Sequence, residues 1–115
     1  MSAITTHVLD TSCGRPAEGM PVVLERASSA GEGWEVVGRA TTDADGRARE
    51  LMPPGAATSG GRYRLIFDTE AYFGATGRPA FYPQVAVQFV VERAEDHYHV
   101  PLLLSPYGYS TYRGS

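Results

Sequence analysis

Two of the chain's three histidines stand one residue apart, His97 and His99, in the run HYHVPLLLSPYGYSTYRGS from His97 to Ser115. The third, His7, lies near the other end, in ITTHVLD. Imidazole is the side chain best suited to exchange protons near neutral pH, so these residues are candidates for general acid–base work. On a strand the His-x-His spacing points both rings to one face. That pair is open to two readings: ordinary surface polarity, or two ligands of a three-histidine zinc site completed by His7, with a position left for water. No carboxylate motif accompanies the histidines. His7 by itself reads as a surface residue beside Asp10. Arg47 follows the Asp43–Gly46 turn and by itself reads as a solvated hairpin residue. Tyr107, Tyr109 and Tyr112 read as sheet packing. The single cysteine, Cys13, has no neighbouring base to activate it and reads as a small buried or turn-lining residue. No G-x-S-x-G elbow, phosphate loop, C-x-x-C or H-E-x-x-H occurs.

The elements that must position these groups are strands. In PQVAVQFVVE, Val85, Val87, Phe89 and Val91 alternate with Gln84, Gln88 and Glu92, the period of a half-buried strand. Tyr63, Leu65 and Phe67 alternate in the same way. Strands are predicted at 4–10, 22–27, 34–42, 47–51, 62–68, 83–92, 99–104 and 107–112. The strand at 47–51 is expected to close a hairpin with 34–42 across the Asp43–Gly46 turn. Only 69–75 reads as a helix, capped by Asp68 or Thr69 and stopped by Gly77. Eight short strands with frequent turns and one short helix predict an all-β sandwich of two antiparallel sheets.

Alternation also sorts the last strands into faces. Tyr98, Val100, Leu102 and Leu104 form an inward set, which leaves His97, His99, Pro101 and Leu103 pointing outward. An outward face of His, Pro and Leu without charge is unusual for a solvated sheet and suggests a surface covered by another subunit. On residues alone, the C-terminal region remains open between a site and an interface.

The 115 residues fit one domain, expected to span 1–115, and 43% of them are hydrophobic, a globular composition. A net charge of −3 speaks against nucleic-acid binding. No run of about 18 apolar residues offers a membrane span. MSAITTHVLD does not read as a signal peptide, and one cysteine fits a reducing compartment, so a cytoplasmic address is expected.

The run HYHVPLLLSPYGYSTYRGS, ending in YRGS at Tyr112–Ser115, closely resembles the signature of the 5-hydroxyisourate hydrolases, in the transthyretin-related family. THVLD at Thr6–Asp10, TTDADGR at Thr41–Arg47 and GRYRLIFDTEAYF at Gly61–Phe73 resemble its other motifs, in order and across essentially the whole chain. The resemblance implies a transthyretin-like eight-stranded antiparallel β-sandwich with one short helix, assembled as a homotetramer, a dimer of dimers with active sites at the dimer–dimer interface. It implies hydrolysis of 5-hydroxyisourate to 2-oxo-4-hydroxy-4-carboxy-5-ureidoimidazoline in urate degradation, with no cofactor and no metal. His7, Arg47 and His99 are the implied catalytic residues. His7, Arg47 and Tyr112 are the implied substrate contacts, and His97 and Ser115 (or the terminal carboxylate) are further candidates. The alternative is a non-catalytic transthyretin-like carrier of a small ligand, against which the His/Arg/His set and YRGS argue.

Overall fold

Tyr63, Leu65 and Phe67 are buried while the residues between them are not, and Tyr98, Val100, Leu102 and Leu104 are buried likewise, with Pro101 the one residue between them that is buried too. Two such alternating faces turned toward each other form the core, joined by Ile4, Val8, Leu24, Val85 and Val91. Each fully buried aliphatic side chain contributes about 1.5–3 kcal/mol relative to exposure. The computed structural model describes residues 3–28, 31–53 and 58–115. Among these, the strands are β1 Ile4–Asp10, β2 Arg15–Pro16, β3 Pro21–Ala27, β4 Trp34–Thr41, β5 Arg47–Ala48, β6 Gly61–Phe67, β7 Val85–Val91, β8 Tyr98–Ser105 and β9 Gly108–Thr111. The helix α1 covers Thr69–Ala75, as the sequence predicts.

One sheet runs β4-β3-β6-β7, antiparallel throughout. The other runs β2-β1-β8-β9, with β5 also paired to β1. The expected sandwich is present, with three differences in detail. Arg15–Pro16, outside every predicted strand, makes a two-residue ladder with Leu9 and Asp10. β1 and β8 run parallel, from Ile4 opposite Tyr98 to Asp10 opposite Leu104. These strands come from opposite ends of the chain, so no hairpin dictates their sense.

The third difference corrects the expected hairpin. β5 does not pair with β4. It pairs with β1, His7 opposite Arg47 and Thr6 opposite Ala48. The Asp43–Gly46 turn therefore carries the chain from one sheet to the other. Ala48 and Thr6 are both buried, and that burial sets the partner.

Helix α1 begins where Asp68 accepts a hydrogen bond from the Ala71 N–H at 3.0 Å. It ends before Gly77, whose φ of 71° favours glycine. Its Tyr72 hydroxyl donates to Asp10 Oδ2 at 2.7 Å, and the Arg78 guanidinium reaches the same oxygen at 2.7 Å. Ser12 donates to the other carboxylate oxygen through its N–H and its hydroxyl. This fully buried carboxylate ties the end of β1 to the helix. Cys13 lies exposed in the turn after β1, a turn-lining residue and not a buried one. No helix among the described residues is long and apolar enough to cross a membrane.

Candidate active site

β1 and β8 lie side by side, so their outward residues become neighbours: Thr5 stands opposite His99, and His7 opposite Pro101. On the other side of β1, Arg47 stands opposite His7. Three strands from distant parts of the sequence thus bring His7, Arg47 and His99 together. A cavity of about 200 Å³ opens beside them, lined by Thr5, Thr6, Arg47, Arg49, His97, His99 and Ser115. Among the described residues, no group of three or more His, Cys, Asp or Glu side chains is placed to hold a metal ion.

The turn before β5 is built around one carboxylate. Asp43 accepts the N–H groups of Asp45 at 2.9 Å and Arg47 at 3.0 Å, and an ion pair with Arg49 at 2.8 Å. The Arg47 N–H, aided by that of Asp45 and by the two guanidinium charges, holds its carboxyl below the usual range against a smaller opposing effect of burial. Gly46, at a φ of 77°, lets the chain press against β1, where its carbonyl accepts the Val8 N–H at 2.7 Å. The Asp45 carbonyl lies 2.8 Å from His7 Nε2. A carbonyl only accepts, so this nitrogen carries the proton, and in the neutral ring Nδ1 holds the lone pair.

His99 is half-buried, and its Nδ1 lies 2.8 Å from the Thr5 hydroxyl oxygen. His97 precedes β8 and is exposed, and its Nε2 lies 3.1 Å from the same oxygen. The rings stand 6.4 Å apart at 17°. Burial, then the charges of Arg47, His7 and His97, push the His99 imidazolium toward losing its proton, below the ordinary histidine value. The shift favours the neutral His99 ring, the form able to accept a proton.

The chain's last residues reach this cavity by a strand interrupted at a proline. β9 pairs with β8 from Ser105–Gly108 to Leu102–Thr111. Pro101 has no N–H to continue the ladder, and its carbonyl accepts the Thr111 hydroxyl at 2.7 Å instead. Pairing resumes at His99, whose carbonyl accepts the Gly114 N–H at 2.8 Å, which leaves Ser115 at the cavity. Pro101, expected to face outward with the histidines, is buried, because β8 is a central strand walled by β1 and β9.

Of the residues singled out in the sequence, His7, Arg47, His97, His99 and Ser115 gather at or beside this cavity. Tyr112 does not join them in the single chain: it is exposed and lines a different cavity, with Phe89, Tyr98 and Arg113. The sequence reading passes over Thr5, Arg49 and Gly114. Strand alternation carries a signal for Thr5, which shares the face of His7 two residues on.

The family described as HIUase/Transthyretin matches residues 4–114. A 5-hydroxyisourate hydrolase of Salmonella dublin is 46% identical over 112 residues, covering 97% of this chain and 80% of the relative. The structure of Klebsiella pneumoniae 5-hydroxyisourate hydrolase has a TM-score of 0.83 at 40% identity, covering 97% of this chain and 92% of that one. Sea bream transthyretin in complex with thyroxine has a TM-score of 0.88 at 30% identity, covering 98% and 95%.

Proposed function

The chain belongs to the HIUase/Transthyretin family, and from that premise we propose that its histidine–arginine cavity opens the ring of 5-hydroxyisourate. The protein is a 5-hydroxyisourate hydrolase, acting in urate degradation. Fold alone does not separate this activity from a carrier's, since a transthyretin superposes as well as a hydrolase does. The residues make the difference. The observation that carries the reading is the meeting of His7, Arg47 and His99 on three adjacent strands.

Hydrolysis needs a base for water, stabilisation of the carbonyl oxygen and a proton for the leaving nitrogen. His99 serves as the base, because burial and neighbouring positive charge keep it neutral. Its Nε2 takes a proton from water as the water oxygen bonds to the ring carbonyl carbon. Arg47 holds the planar, oxygen-rich substrate and offsets the charge growing on the carbonyl oxygen. The ring C–N bond then breaks, and His99 Nε2 hands the proton it took from water to the departing nitrogen, while His7, its Nε2 held by the Asp45 carbonyl, offers the Nδ1 lone pair as a hydrogen-bond acceptor. Ser115 closes one side of the cavity. Tyr112 walls the site once subunits face each other.

The working unit in this reading is a homotetramer, a dimer of dimers. Among the described residues, β7 and β9 each end their sheets with an unpaired edge, and Val90, Phe81, Tyr107 and Tyr112 are exposed near these edges. The half-buried Leu9 and Leu103 extend the outward face beside the histidines, a surface suited to a second copy. The one cysteine fits a reducing compartment, and we place the protein in the cytoplasm.

The test is ultraviolet decay of freshly generated 5-hydroxyisourate. The protein should accelerate it, and His99→Ala and Arg47→Ala should remove most of the acceleration while the fold and the oligomer mass stay unchanged. Binding without acceleration would make the protein a carrier, and wild-type rates in both variants would sink the mechanism.

A further inference from the structure

Thr5 stands between two imidazoles, and its hydroxyl cannot treat them alike. Its oxygen lies 2.8 Å from His99 Nδ1 and 3.1 Å from His97 Nε2. A hydroxyl has one proton to give and lone pairs to receive. With both hydrogen bonds made, one ring accepts from Thr5 and the other donates to it. A base working at His99 Nε2 carries its ring proton on Nδ1, so His99 is the donor, Thr5 passes its own proton toward His97, and His97 Nε2 is the acceptor. The order of donors is thereby set along three groups. Thr5 is 3% exposed, too enclosed for solvent to take either place.

We propose that Thr5 joins His99 and His97 into one proton relay, carrying the positive charge created by water activation from the half-buried ring to the exposed one. Atoms balance along it. His99 Nε2 gains the proton of the attacking water. The Nδ1 proton of His99 moves to the Thr5 oxygen, and the Thr5 hydroxyl proton moves to His97 Nε2. Thr5 keeps one hydroxyl proton, now directed at His99 Nδ1, and His97 holds the charge until the transfers run in reverse as His99 Nε2 gives its proton to the departing nitrogen.

The surroundings give the charge a reason to leave His99. The groups facing it are Arg47 and Arg49 from the β5 side, His7 from β1, and His97 and Ser115 from its own sheet. Among the described residues, no Asp or Glu side chain lines the cavity. In hydrolases built on a histidine with a carboxylate behind it, the carboxylate steadies the imidazolium. Here the position behind His99 is held by a neutral hydroxyl, and behind that by a second base open to water. Thr5 acts through the two rings it joins, and is a positioning residue.

The proposal rests on the reading of His99 as the base, and its test separates the two. Initial rates, pH profiles and proton inventories in mixed light and heavy water are compared for wild type, Thr5→Val, Thr5→Ser, His97→Gln and the double variant Thr5→Val with His97→Gln. Thr5→Val should lower kcat roughly 10- to 100-fold with KM little changed, Thr5→Ser should restore it, and His97→Gln should match Thr5→Val. The double variant should be no slower than either single one, because one chain of transfers is broken once. The wild-type inventory should be curved, with more than one proton in flight, and that of Thr5→Val linear. A Thr5→Val enzyme with wild-type kcat and inventory overturns the relay, as do losses that multiply in the double variant. If Thr5→Val fails to fold, His97→Gln decides: wild-type kcat and a curved inventory there overturn it equally. A wild-type protein that does not accelerate substrate decay overturns the hydrolase reading instead.

Discussion

Gly114 lies directly against the imidazole of His99: a Cβ added to it would stand 2.7 Å from Cδ2 and 3.4 Å from Cγ of the ring. The same glycine donates its N–H to the His99 carbonyl at 2.8 Å. Backbone and ring of the proposed base are therefore both held against a residue without a side chain.

Gly114→Ala should disable the enzyme without unfolding it. The ring cannot simply swing aside, because its Nδ1 is held by Thr5 at 2.8 Å. A displacement on the order of 1 Å costs about a hundredfold in a positioned catalytic group, so kcat should fall at least tenfold. The substitution sits outside the core cluster, and the melting temperature should stay within about 2 °C of wild type. Kinetics and calorimetry on one preparation check both halves. Unchanged kcat would show that the ring has room the contact distances deny it.

The acid limb of the pH–rate profile should lie below the ordinary histidine value of about 6.5. Burial, then the charges of Arg47, His7 and His97, disfavours the protonated His99 ring. A base is active when neutral, so activity should hold as pH falls through 6.5 and drop only at lower pH. Removing a cation reverses part of that effect. In Arg47→Gln the His99 resonances should titrate at higher pH than in wild type, measured by NMR with no substrate present. A shift downward, or none, would place Arg47 too far from the ring to act on it.

Helix α1 and strand β1 were legible to the residue, because Asp68, Gly77 and the alternation in ITTHVLD are local signals. The partner of β5 was not. Asp43–Gly46 announces a reversal of direction, and turn chemistry says nothing about which strand the chain meets afterwards. That choice follows from burying Ala48 against Thr6, a contact between distant segments. The route of Tyr112–Ser115 was hidden for a similar reason. Pro101 interrupts its ladder, and only the bridge from Gly114 to His99 shows that the pairing resumes. The chemical residues were visible by type. What joins His97 to His99, the Thr5 hydroxyl, depends on a parallel pairing that alternation within one strand does not reveal.

Asp43 should matter to turnover although it touches no substrate. Its carboxylate gathers the N–H groups of Asp45 and Arg47 and the guanidinium of Arg49, and so fixes where β5 begins. Asp43→Ala should lower kcat/KM roughly tenfold, through a looser Arg47, while Asp43→Asn keeps one acceptor oxygen and should lose less. Steady-state kinetics on the pair checks this. Equal loss in both would mean that the charge matters and the hydrogen bonds do not.

Asp10 should dominate stability in acid. Burial by itself would raise its carboxyl. Hydrogen bonds from Arg78, Ser12 and Tyr72, with the charge of Arg78, prevail and hold it far below the usual carboxylate range. The same carboxylate, after burial, pushes the Tyr72 hydroxyl up to about 12. The folded carboxyl thus binds its proton more weakly than the unfolded one, so protonation favours unfolding. Its stabilisation is whole above the unfolded value of about 3.9 and is lost progressively as pH falls below that. Removing one member of a buried ion pair costs about 3–5 kcal/mol, and Asp10→Asn, which keeps the shape and some hydrogen bonds, should cost the lower end of that range. At neutral pH its melting temperature should fall by about 10 °C. Between pH 4 and 2 the wild type should lose stability faster than the variant, and the two melting curves should converge. Parallel curves across that interval would mean that the Asp10 carboxylate contributes through shape alone.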